Sequence, residues 1–127
     1  THSTTTFMMK GRLGKYQLSF LEDTLASPAL AGSHKIILMH HNPVVDNPFN
    51  YDFLINRSKF IGILERHAAN SRRRDVTVVF RHSHRKYINT TLIKHVNFIC
   101  VPMFALKEPP DYIEMLIHPD GRLEELI

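Results

Sequence analysis

Four histidines stand in two tight clusters, His40-His41 followed by Asn42-Pro43, and His82-Ser83-His84. Neutral imidazole is a common metal ligand, and the i, i+2 spacing of His82 and His84 lets two rings just past a strand reach the same ion or adjacent ions. The same spacing also suits surface histidines, because the segment reads Arg81-His82-Ser83-His84-Arg85-Lys86 and is strongly basic. The chain holds nine histidines in 127 residues, so position and not abundance must decide between these readings.

Each cluster follows an apolar run. Lys35 opens Ile36-Ile37-Leu38-Met39, too short for a buried helix and bounded by breakers, which predicts a strand covered on both faces. Val76-Thr77-Val78-Val79-Phe80 is β-branched and predicts a second strand. Between them Phe60, Ile61, Leu64 and Ala68 make the apolar face of a helix from Lys59 to about Ala69, with Ser58 as its cap. Open α/β sheets place ligand sites beyond the carboxyl ends of their strands. The two strands would therefore aim their histidines at one crevice.

Upstream, Gly11 and Gly14 bracket a short turn, and Tyr16, Leu18, Leu21 and Leu25 fall near helical spacing. Ser27-Pro28 and Gly32-Ser33 end that helix by about Ala26. The stretch from Val44 to Asn56 has no period and predicts a long surface loop beside the histidines. Downstream, Val96 to Val101, Tyr112 to Ile117 and Leu123 to Ile127 are strand candidates, the last two joined by a Pro119-Asp120-Gly121 turn. The order of elements predicts one layered α/β domain with a mixed sheet.

The chain is 43% hydrophobic and 22% charged, within the range of a soluble domain. Cys100 is the only cysteine, so no internal disulfide framework exists and a reducing, cytoplasmic setting is expected. No apolar run approaches the roughly 20 residues that span a bilayer, so no membrane partner is expected. The polar opening Thr1-His2-Ser3-Thr4-Thr5-Thr6 reads as a loop within a longer polypeptide, and a trimmed precursor would look the same. The net charge is +4 and the pI about 9.4, with Arg72-Arg73-Arg74 prominent. Such a run attracts phosphates or nucleic acid, or forms a solvated basic loop, and no aromatic-interleaved recognition motif accompanies it.

Taken in order, Gly11-Arg12-Leu13-Gly14 with Gln17, Leu18 and Leu21, then Leu38-Met39-His40-His41-Asn42-Pro43-Val44, then Phe80-Arg81-His82-Ser83-His84 resemble the calcineurin-like metallophosphoesterases. The resemblance runs over roughly residues 10 to 105 and corresponds to the carboxyl-terminal half of that domain. It implies a layered α/β half-domain, a mixed sheet with helices on one face, spanning residues 1–127. By position it implies His40 and His82 on one ion of a dinuclear centre and His84 on the other, with His41 as the alternative to His40. The ions would be manganese, iron or zinc. The implied reaction is hydrolysis of a phosphomonoester or phosphodiester, in which two ions lower the pKa of the attacking water and stabilise the leaving oxygen.

Two departures qualify that implication. The upstream Asp-x-His, Gly-Asp and Gly-Asn-His motifs of the family have no counterpart, and Asp46, Asp52 and Asp75 are in none of those settings. An amino-terminal half, in cis or in trans, would have to supply them. Arg81 stands where the family has glycine, and a side chain at such a turn is expected to cost roughly 1 kcal/mol or more. The resemblance thus leaves two functions open: a fragment of a phosphoesterase, or a non-catalytic module in a nucleic-acid-containing assembly.

Overall fold

The computed structural model describes residues 3–5, 11–44, 56–83, 87–102 and 114–126. Two short strands, β1 (Ser3–Thr5) and β2 (Gly11–Leu13), pair antiparallel and lead into helix α1 (Lys15–Ala26). Gly11 to Leu13 is thus a strand and not the expected turn, because Thr5 and Gly11 sit opposite each other in the β1 ladder. The helix begins where sequence periodicity placed it. Its first turn is closed by the Gln17 side chain, whose Oε1 accepts the Gly14 N–H at 2.7 Å.

A single turn of 3₁₀ helix, Pro28–Leu30, leads to β3 (Lys35–Leu38), after which come α2 (Arg57–Ala69), β4 (Val76–Ser83), β5 (Tyr87–Asn89) and β6 (Val96–Pro102). Their sheet has the order β3-β4-β6-β5. β3, β4 and β6 run parallel, and β5 returns antiparallel along β6. The mixed sheet and two helices make this a small α/β protein.

Alternation along the strands separates the two faces. Ile37 and Met39, Val76, Val78 and Phe80, and Val96, Phe98 and Cys100 share one face, and they form one core with Leu25 of α1 and Phe60, Ile63, Leu64 and Ala68 of α2. Both helices therefore pack on the same side of the sheet. Beneath the other face lies the hairpin of β7 (Met115–Ile117) and β8 (Leu123–Glu125). Buried Asn97 of β6 ties it on, donating from its amide to Gly121 O at 3.0 Å and to Thr77 Oγ1 at 3.1 Å.

That cover stops short of β3. Ile36 and Leu38 alternate with Lys35 and Ile37 and are 56% and 63% exposed. The expectation of a strand buried on both faces is therefore incorrect. β3 lies at the border of the four-stranded sheet, and the hairpin reaches only the far side of the lower face.

α2 also starts one residue before the proposed Ser58 cap, at Arg57, after Asn56. The Asn56 amide does not cap its own helix. It accepts the Leu13 N–H at 3.0 Å and donates to Leu13 O at 2.9 Å, fastening the end of β2 to the start of α2. The loop proposed for Val44 to Asn56 lies, for residues 45–55, outside the described residues, as do residues 112 and 113 of the proposed late strand.

Candidate functional site

β3 and β4 are neighbours with Leu38 opposite Val79, and the Met39 N–H continues the ladder to Val79 O at 2.9 Å. His40 and His41 thus leave the carboxyl end of one parallel strand beside the segment Phe80 to Ser83 of the next. β4 runs on through Arg81, His82 and Ser83, and its pairing with β6 shifts register between Phe80 and Ser83. Bulges of this kind bend a strand, re-aim its side chains and are enriched beside active sites.

The segment after β3 is held by its own polar groups. His40 is exposed and His41 only 1% exposed, their rings meeting edge to face with centroids 4.8 Å apart. Asn42 is buried, and its Oδ1 accepts the Val44 N–H at 2.8 Å, a side-chain turn that replaces a backbone one. Arg57 reaches back from α2, donating from Nε to Pro43 O at 2.8 Å and from Nη2 to Val44 O at 3.3 Å. Arg57 went unnoticed in the sequence because its role depends on a contact between residues 14 positions apart.

His82 has its backbone placed in β4, with its side chain outside the description, and His84 lies outside the described residues, as do Asp46 and Asp52. Among the described residues no group of three or more histidine, cysteine or acidic side chains is arranged to hold a metal ion. The described donors at this end of the sheet therefore do not make a complete centre, and carboxylate ligands would have to come from elsewhere.

Asp75 cannot supply one, because it precedes β4 at the opposite end of the strands. It is buried and accepts from Lys35 Nζ at 2.8 Å, and each of its carboxylate oxygens lies 3.1 Å from His67 Nε2. Burial pushes its carboxyl up, but the hydrogen bonds and charges of Lys35 and His67 outweigh this and hold it below the ordinary 3.8. Nearby His34, whose Nε2 lies 2.7 Å from Thr77 Oγ1, is shifted below 6.5 mainly by burial, with Arg73 and Lys35 adding to the effect and Asp75 opposing it.

Arg81 is exposed in extended strand, and among the described residues only His95 and Gly121 have positive φ. The expectation that a side chain strains this position is corrected accordingly. The basic run Arg72-Arg73-Arg74 also divides. Arg74 is structural, its Nη1 donating to Asn97 Oδ1 at 2.9 Å and to the carbonyls of Thr90 and Val96 at 3.2 Å. Arg73 donates to Gly32 O at 2.9 Å, and Arg72 is exposed.

No family model matches the chain, and no curated protein matches it. Among the described residues no helix is long and apolar enough to cross a membrane.

Proposed function

We propose that the chain is the carboxyl-terminal half of a calcineurin-like metallophosphoesterase domain, a layered α/β half-domain acting on phosphate esters with an amino-terminal half. One observation carries the reading. Both histidine motifs sit at the carboxyl ends of adjacent parallel strands in register, His40 after β3 and His82 at the end of β4, where open α/β sheets place their ligand sites.

In this reading His40, His82 and His84 hold manganese, iron or zinc, and the amino-terminal half adds the carboxylates. When bound, the two ions supply charge stabilisation and an activated water for phosphoester hydrolysis. The chain's own contribution is positional. The Asn42 turn and the Arg57 clamp fix the segment bearing His40, and the register shift in β4 falls between Phe80 and Ser83, in the stretch of backbone that carries His82. Arg81 adds a cation at the same rim, where it can contact a phosphate or repel metal.

That cation favours a second reading, in which the fold persists as a non-catalytic module of a nucleic-acid-containing assembly. The basic run gives this reading limited help, since Arg74 is spent on internal carbonyls and Arg73 is anchored to the Gly32 carbonyl. Combining the chain with an amino-terminal half that carries Asp-x-His, Gly-Asp and Gly-Asn-His, in manganese or zinc, separates the two. Hydrolysis of p-nitrophenyl phosphate or its bis-ester that needs both parts and disappears with His82→Ala supports the enzyme. A stable, metal-loaded complex without turnover supports the module.

A further inference from the structure

At the amino ends of β3 and β4, away from His40 and His82, a cavity of about 610 Å³ opens between the carboxyl ends of α1 and α2 and the loop before Asp75. That volume falls within the range of small-molecule sites. Lys35, Arg66, Arg72 and Arg73 face it against Glu22 and Asp75, so four cations meet two carboxylates and the wall carries 4 − 2 = +2.

The charges are unevenly satisfied. Asp75 is neutralised from within by Lys35 and His67. Arg66 stands 3.9 Å from Glu22 with both side chains well exposed, a loose pair of little strength. Arg73 is anchored through one Nη2 hydrogen bond to a neutral carbonyl, that of Gly32. Its charge stays uncompensated and the remaining N–H groups of the guanidinium fork are held in place. Arg72 adjoins it, exposed. Leu25, Pro28, Ala31 and Ile63 make an apolar part of the wall, beside the polar Ser27, His67, Asn70 and Ser71. The carbonyl ends of both helices oppose an anion here, so recognition must rest on direct guanidinium contacts.

We infer that this cavity binds a small organic anion, its phosphate or carboxylate head between Arg72 and Arg73 and its apolar body against Leu25, Pro28 and Ile63. The site lies at the opposite end of the sheet from His40 and His82 and does not depend on the phosphoesterase reading. Guanidinium forks suit both head groups, and the apolar wall distinguishes an organic anion from a free inorganic one.

The test is a titration of the isotope-labelled chain, in chelator to exclude metal, with phenyl phosphate, benzoate and inorganic phosphate, followed by amide NMR shifts. Saturable shifts in residues 25–31 and 71–75 are expected with phenyl phosphate or benzoate, and the better of the two identifies the head group. Inorganic phosphate should bind at least tenfold more weakly, and Arg72→Gln should weaken the organic ligand about tenfold while leaving the unliganded spectrum unchanged elsewhere. Arg73→Gln is the second variant, read only if its spectrum stays folded. No saturable shift at millimolar ligand, shifts confined to the histidine end, equal binding by Arg72→Gln, or equal binding of inorganic phosphate would each overturn the proposal.

Discussion

Arg81 occupies the position where the resemblance expects glycine, yet it is an exposed residue of a regular strand. Glycine within a strand costs roughly 0.5–1 kcal/mol relative to alanine through lost backbone entropy. Arg81→Gly should therefore lower the free energy of unfolding in urea by about that amount, with Arg81→Ala close to the parent. A gain in stability on Arg81→Gly would restore the strained-turn reading. His34 gives a pH dependence of defined sign. Its folded pKa lies below 6.5, so between the folded value and 6.5 the unfolded chain binds more protons. The stability it contributes is complete above 6.5 and is lost as pH falls through the folded value. Asp75, also lowered, adds a separate loss starting below its ordinary 3.8. Urea midpoints measured from pH 7.5 to 5 should fall more steeply for the parent chain than for His34→Gln. Parallel curves would show that His34 does not set this dependence.

Among the elements, those with strong local signals were readable from the chain itself. α1 was expected from Tyr16 to about Ala26 and runs Lys15–Ala26, because apolar spacing and Ser27-Pro28 define both its face and its end. The Pro119-Asp120-Gly121 turn was legible for a similar reason, and the structure sharpens it. Gly121 has φ +88°, and a Cβ there would run into the Arg74 carbonyl. Gly121→Ala should cost about 2 kcal/mol or more by straining the turn and loosening the hairpin from Asn97. Gly32→Ala, with nothing within 4 Å of its added Cβ, should stay within about 0.5 kcal/mol. Similar urea midpoints for the two variants would refute this account of the hairpin. What depended on distant partners was not legible. Asn56 reads as the end of a surface loop until Leu13 claims its amide, and β5 has only three residues, defined by pairing with β6. Of the candidate site, the strand ends were readable, but the Arg57 clamp and the separation of exposed His40 from buried His41 were not.

For the whole molecule, two helices on one sheet face leave an apolar surface near β3. Tyr16 and Phe20 of α1 are 87% and 72% exposed, and they line a groove with Ile36 and Leu38. Contiguous apolar surface of this kind marks contact sites. Sedimentation of the chain should show concentration-dependent association that weakens when Phe20→Lys and Leu38→Lys are combined. A strictly monomeric parent chain at high concentration would argue against an incomplete half-domain. The central claim, the proposal that His82 of β4 and His84 are metal ligands together with His40, which follows β3, is tested most directly by calorimetric titration with zinc or manganese. The parent chain should bind weakly and saturably, since imidazoles without bridging carboxylates underfill the site, and the combined His82→Ala and His84→Ala variant should lose that binding. Equal affinity in the two proteins would contradict the assignment.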